Sequence, residues 1–258
     1  MKFTVVIPAR FASQRLPGKP LLKIGDKTMI ECVYRQALLS DASNVVIATD
    51  HADIESEVKK FGGSVCMTRT DHASGTDRLA EVVDALGLAA DDIVVNVQGD
   101  EPLIPPSVIN QVAQNLFENT NASVATVSEP VHDISVYRDP NTVKVVTDVN
   151  GMALYFSRAP MPWYRDEQQP GSVNDAVLDE QLSANDNVNS HVGIYAYRAS
   201  LLREFVGWAP GALEQIEKLE QLRVMENGHK IHVAQATENV PKGIDTPDDL
   251  ARIRELVK

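Results

Sequence analysis

Long apolar runs are missing from this 258-residue chain. No stretch approaches the ~20 apolar residues that a membrane-spanning helix needs. The first apolar run lasts five residues, Phe3 to Ile7, with no small-residue cleavage site after it, so no secretory leader is expected. Cysteine is scarce. Cys32 falls in a helical pattern and Cys66 in a strand pattern, so both are expected as reduced core residues, with the cytoplasm as the expected location. Positive charge is in deficit, with 24 Lys and Arg against 36 Asp and Glu and a formal net charge of −12. That balance argues against nucleic acid or an anionic membrane as the main partner. Small anionic substrates stay open, because they feel local charge more than net charge. The common nucleotide signatures are missing too. No G-x-G-x-x-G follows the first strand, and Gly18-Lys19 resembles the end of a Walker A loop only until Pro20, which stands where Ser or Thr would bind magnesium.

What is present is an ordinary globular composition, 43% apolar and 23% charged, on a chain long enough for one large α/β domain or two small ones. The most informative stretch is FTVVIPARFASQRLPGKPLL, residues 3–22. A β-branched run broken by Pro8 reads as a buried strand, and α/β folds bind ligands at the C-terminal ends of such strands. The loop that follows carries Arg10, Arg15 and Lys19 among small residues, with Pro17 and Pro20 flanking Gly18. It reads either as a solvated basic loop or as a stiffened, cationic polyphosphate site.

Farther along, strands are expected at 44–49, 64–67 and 92–97, and helices at 29–38, 52–61, 74–86 and 105–117. This alternation predicts βαβ units and a largely parallel sheet with helices on both faces. The second half differs. Strands at 122–127, 142–147 and 153–157 follow one another with no helix expected between them. The polar stretch 160–189 is too long for an ordinary connection and predicts a lid or mobile insertion. A strand at 192–197, an amphipathic helix at 212–227 and a strand at 230–234 precede a last helix capped by Thr246, with Pro247 in its first turn. The expected architecture is one α/β domain over 1–258. A smaller, more antiparallel insertion is expected at about 121–235.

Asp100, just past a buried strand, and Asp245, on a Gly-bounded turn, are candidate ligands for a hard cation such as Mg²⁺, or else turn and cap residues. Arg158 ends a strand and suits a carboxylate or phosphate partner, or a surface ion pair. His191 has no Cys or His at ligand spacing, which argues against zinc. Glu217, Glu220 and Gln221 share the 212–227 helix, and Glu217 reads as part of a solvated face.

Taken together, IPARFASQRLPGKPL, ATD at 48–50, SGTDRLAE at 74–81, VNVQGDEP at 95–102, ALYFSRAPMPW at 153–163, HVGIYAYR at 191–198, LEQLR at 219–223 and the IDTPDD turn at 244–249 resemble one family over nearly the whole chain. It is the 3-deoxy-manno-octulosonate cytidylyltransferases, the CMP-Kdo synthetases of lipopolysaccharide assembly. The opening loop is shared with sialic-acid-activating relatives; the QGDEP, YFSRA and H-x-G-I-Y combination is more specific. The resemblance implies a nucleotide-diphospho-sugar-transferase fold with a nucleotide-binding part at about 1–120 and a sugar-binding and dimerisation part at about 121–235, a cytoplasmic homodimer, and Mg²⁺-dependent transfer of CMP from CTP to Kdo. It implies that Ala9, Arg10, Arg15, Lys19, Ser74, Gly75 and Arg78 bind the nucleotide and that Asp100 and Asp245 hold magnesium. Gln98, Arg158, His191, Tyr195, Glu220 and Gln221 would line the Kdo pocket. One departure is Ser190, where the family usually has a basic residue before the pocket histidine; it bears on discrimination between Kdo and an 8-amino variant. The rival readings are a cytidylyltransferase for another 2-keto sugar acid and a non-catalytic nucleotide-sensing module.

Overall fold

The β-branched run after Lys2 forms β1 (Phe3–Ala9), and nearly all of it is buried, as expected of a central parallel strand covered on both faces. The computed structural model describes residues 1–12, 16–72, 74–167 and 174–256. After β1 come a 3₁₀ turn at Lys19–Leu21 and a small antiparallel hairpin of β2 (Lys23–Ile24) and β3 (Lys27–Thr28). Next in order are α1 (Met29–Leu38), β4 (Asn44–Thr49), α2 (Ala52–Lys60), β5 (Val65–Met67), α3 (Gly75–Ala85), β6 (Ile93–Asn96) and α4 (Pro106–Glu118). The later elements are β7 (Val124–Pro130), α5 (Ile134–Arg138), β8 (Lys144–Thr147), β9 (Ala153–Ser157), α6 (Asp175–Ala184) and β10 (Asn189–Arg198). The chain closes with α7 (Ala199–Phe205), α8 (Ala212–Glu217), α9 (Gln221–Glu226), β11 (Ile231–Gln235) and α10 (Pro247–Leu256).

Two units emerge. The first comprises Met1–Glu118, Ile194–Gly207 and Thr237–Lys258; the second comprises Asn119–Gly193 and Trp208–Ala236. In the first, β1 lies between β4 and β6, parallel to both, and β5 lies beyond β4, again parallel. The second half of β10 runs antiparallel to β6, with Tyr195 opposite Asn96. The sheet is thus mixed and mostly parallel. The chain leaves β1 toward β4 and later returns to β6 on the other side, so the gap between the ends of β1 and β6 is a switch point, where such sheets hold ligands. Local chemistry starts the helices where the sequence predicts: Ser74 and Asp77 form a reciprocal capping box at α3, and Thr246 and Asp249 exchange bonds at α10.

In the second unit β7 and β11 run parallel, and β8 pairs antiparallel with β9 and with the first residues of β10. Four expectations are corrected here. A helix, α5, does separate β7 from β8; the Asp133 carboxylate starts it by accepting from Ser135 N at 2.6 Å and Val136 N at 3.3 Å. The described part of 160–189 is no lid: α6 buries Leu178 and Leu182 against Val131, Tyr137 and Val188. The helix expected at 212–227 is two helices, broken at Lys218, whose left-handed backbone (φ 55°) ends α8. Both cysteines are free; Cys32 is half-buried against the cluster of Leu16, Ile24 and Met29, whereas Cys66 is half-buried rather than core, and burial pushes both thiols upward in pKa.

Candidate active site

The cavity of the first unit is lined from strand ends, a helix start and the turns between them. Ala9 and Arg10 leave β1, and Gln98, Gly99 and Asp100 follow β6. Gly75 opens α3. With Pro8, Ala12, Lys19 and Pro20 they line a cavity of about 260 Å³. Its geometry depends on close backbone approach. A Cβ on Gly99 would lie 2.8 Å from the Pro8 carbonyl oxygen, so only glycine lets the two strand ends meet. Ile244 N donates to Asp100 O at 2.9 Å, and a Cβ on Gly243 would lie 3.2 Å from that same oxygen. The turn before α10 is thereby laid over the end of β6. Behind it, Ile244, Leu250 and Ile253 pack with Leu16, Ile24 and Met29.

The result is a charge cluster the chain spacing hides. Lys19 Nζ donates to Asp100 Oδ2 at 2.6 Å and to Asp245 Oδ1 at 3.1 Å. The lysine side chain is 12% exposed, the two carboxylates 33% and 54%. Two carboxylates converging on one ammonium are a pair of hard oxygen donors aimed at one point. No group of three or more His, Cys, Asp or Glu able to hold a metal occurs among the described residues. Two carboxylates, with phosphate oxygens and water completing the shell, is a common way for Mg²⁺ to be bound, so the residues present fit that ion.

Sequence reasoning passed over Glu101. Its Oε2 is buried with no hydrogen-bond partner among the described residues, and burial, reinforced by neighbouring Asp100, pushes its pKa up to about 8. Burial therefore favours the neutral form of the Glu101 carboxyl. The available signal was an acid set between a buried strand and Pro102.

Arg78 is 1% exposed and does not line the cavity. Its guanidinium donates to Asp50 Oδ2 at 2.7 Å and to Thr68 Oγ1. It ties the ends of β4 and β5 to α3, and so supports the Ser74-Gly75 turn. Glu81, on the same helix, holds the preceding loop by accepting from Arg69 N at 3.0 Å and pairing with His72. Arg15 lies outside the described residues.

Gln98 and Tyr195 belong to the first unit; Arg158, His191, Glu220 and Gln221 belong to the second. Tyr195 stacks on Tyr197 with ring centroids 5.6 Å apart. Glu220 precedes α9 and Gln221, its first residue, is buried. Arg158 is held firmly: Nε donates to Glu217 O at 2.7 Å and Nη1 to Pro140 O at 2.9 Å. The Glu217 carboxylate accepts from Ser157 Oγ at 2.6 Å and from Arg158 N at 3.0 Å. The reading of Glu217 as a solvated face is thus corrected; the helix break at Lys218 turns it toward β9. Lys144, fully buried, donates to the carbonyls of Asp139 and Thr142 on the segment that also receives Arg158. Burial holds its pKa below the usual lysine range.

His191 pairs through Nε2 with Thr126 Oγ1 at 3.0 Å and meets the Phe156 ring edge-on. Burial pushes its pKa from 6.5 down to about 3. The native imidazole thus stays neutral while the unfolded one takes a proton below about 6.5. Stability present above that pH is lost as pH falls toward 3. Between pH 7 and pH 5 the wild type should lose about 1–2 kcal/mol more than His191→Gln, read from urea unfolding at both values. Equal losses would place the imidazole in solvent-like surroundings.

With this geometry in hand, comparison with known proteins is informative. A family model described as cytidylyltransferase matches residues 4–231. A 3-deoxy-manno-octulosonate cytidylyltransferase of Saccharophagus degradans is 58% identical over 258 residues, covering 100% of this chain and 99% of the relative. One of the same name from Cellvibrio japonicus is 57% identical over 258 residues, with the same coverage. Among solved structures, a CMP:2-keto-3-deoxy-manno-octonic acid synthetase complexed with CTP superposes with a TM-score of 0.85 at 40% identity, covering 99% of this chain and 98% of that one. A cytidylyltransferase of Leptospira borgpetersenii, at 16% identity and a TM-score of 0.59 over 98% of this chain and 84% of that one, shares the fold.

Proposed function

The chain belongs to the cytidylyltransferase family, and from that premise we propose that the cavity beside β1 and β6 is the CTP site of an enzyme that transfers CMP to 3-deoxy-D-manno-octulosonate. The observation that carries this reading is the Lys19 ammonium bridging Asp100 and Asp245 at a cavity also lined by Arg10. In the reaction the C2 hydroxyl of Kdo attacks the α-phosphorus of CTP. The new P–O bond forms as the bond to the β-phosphate oxygen breaks, and pyrophosphate leaves with the electron pair. The hydroxyl proton passes to solvent, since no side chain among the described residues stands out as a general base.

Both reactants are anions, so the site must first overcome their repulsion. Arg10 and Lys19 stabilise the triphosphate and the charge that grows on departing pyrophosphate. The Ala9 backbone, with Ser74 and Gly75 at the start of α3, borders the nucleotide, and Arg78 supports that turn from behind. A magnesium ion held by Asp100 and Asp245 would supply charge neutralisation at the α-phosphate and lower the pKa of the incoming hydroxyl. Arg158 is the partner we assign to the sugar-acid carboxylate, with Gln98, His191, Tyr195, Glu220 and Gln221 as further sugar contacts. Glu217, Pro140 and the buried Lys144 keep Arg158 in place. A homodimer belongs to this reading, and Leu154, Trp163 and Ile216, at 62%, 59% and 78% exposure, give the second unit apolar surface for it.

The direct test is pyrophosphate release from CTP with a panel of 2-keto sugar acids, with and without Mg²⁺. Kdo should be turned over fastest, and chelation should abolish turnover. Faster release with sialic acid would reassign the sugar. CTP binding without turnover on any acid would favour the sensing module.

A further inference from the structure

Phe11, the residue after Arg10, lies flat against His51. The ring centroids are 3.9 Å apart and the planes differ by 8°. Phe11 also meets the other end of its loop: its carbonyl accepts from Gly18 N at 3.3 Å, and its ring atoms lie 3.6 Å from where a Cβ on Gly18 would stand. One residue thus touches both ends of a segment whose flanks are Arg10 and Lys19. Neither Phe11 nor His51 lines the cavity.

His51 is itself fixed in the fold. Its backbone N donates to Thr49 Oγ1 at 3.3 Å, and its Nδ1 accepts from Asp53 N at 3.2 Å as the cap of α2. Histidine is an uncommon choice there. Asn, Asp, Ser or Thr cap a helix better. What histidine offers beyond Asn is a flat ring, and that ring is spent on Phe11.

We infer that the Phe11–His51 stack is a positioning device that holds Arg10 and Lys19 at the spacing of the triphosphate, and so sets affinity for CTP. It works because α2 anchors His51 to the rigid end of β4, parallel and adjacent to β1. The stack passes that rigidity to Phe11, which adjoins Arg10 and meets Gly18 beside Lys19. This inference rests on the reading of the cavity as the CTP site.

The test uses His51→Asn, which keeps a capping acceptor and removes the ring, and Phe11→Leu, which keeps apolar bulk and removes the stack. Each should raise the KM for CTP and its calorimetric Kd about 5- to 10-fold, the scale of one aromatic pair. Turnover should stay within about twofold and the KM for Kdo should not move, on that same scale. The double variant should be no weaker than the worse single, because both remove one contact. A merely structural role would lower Tm without this CTP-specific change. Unchanged CTP affinity in His51→Asn, or additive losses, would overturn the inference. The His51 side chain is 35% exposed, so that variant folds and decides the matter even if Phe11→Leu does not. Wild type and Lys19→Ala serve as references. If Lys19→Ala loses CTP and the ring variants keep it, this inference alone fails; if Lys19→Ala binds CTP like wild type, the site reading fails and takes the inference with it.

Discussion

Asp100→Ala is expected to lower turnover by at least ~100-fold at saturating CTP and Kdo, the scale of losing one preorganised transition-state stabiliser. Its carboxylate is one of the two that converge on a single point, 2.6 Å and 3.1 Å from Lys19 Nζ. Glu101 cannot take its place, because that carboxyl is enclosed and its pKa is pushed up to about 8. Asp100→Asn should lose as much, since the amide keeps the shape and the hydrogen bond from Lys19 but not the charge. Unfolding free energy should change by less than about 1 kcal/mol, because the lysine retains Asp245 and the pair is partly open to water. The measurements are kcat in the CTP and Kdo assay and Tm of the same preparation. Near-normal CMP-Kdo formation by Asp100→Ala would remove the metal assignment.

Lys19→Ala should also cost at least ~100-fold in turnover, but by a different route and with a different signature. In the proposed site Asp100 would act where the metal is needed, whereas Lys19 would supply the positive charge that faces the phosphates. Its loss should therefore raise the KM for CTP as well as lower kcat, whereas Asp100→Ala should act chiefly on kcat. Lys19→Arg should recover binding more than turnover, since the planar guanidinium keeps the charge but cannot occupy the point between the two carboxylates that a compact ammonium fills. Steady-state kinetics with CTP varied at saturating Kdo separate these outcomes. A Lys19→Ala enzyme with a normal KM for CTP would move the phosphate site elsewhere.

Much of the fold was legible because its cues are local. Val5, Val6, Ile7, Val94 and Val95 are fully buried, and strands buried on both faces read as unbroken apolar runs. Ser74, Thr246 and Pro247 mark helix starts through their own side chains and backbone. The misses share one cause. Helices α5 and α7 are too short to show a periodicity, and the break between α8 and α9 rests on the left-handed backbone of Lys218, a residue with no intrinsic preference for it. The polar 160–189 stretch is long for a connection and predicts a lid or mobile insertion, yet two leucines of α6 pack its described helix against Tyr137. Glu217 was misread for the same reason as the helix that carries it.

By itself the sequence determined the residue types and their local settings: a cation after a strand and a proline-stiffened loop, an aspartate past another strand, an aspartate on a turn before a capped helix. Each is a short-range fact, set by neighbours a few positions away. That Lys19 meets residues 81 and 226 positions along the chain was decided only by tertiary structure. Switch-point topology puts the ends of β1 and β6 side by side, Gly99 lets them close, and the Ile244 to Asp100 hydrogen bond brings the last turn over them. The raised pKa of Glu101 and the burial of Arg78 belong to the same category. Desolvation depends on what packs around a group, and no stretch of sequence contains that information.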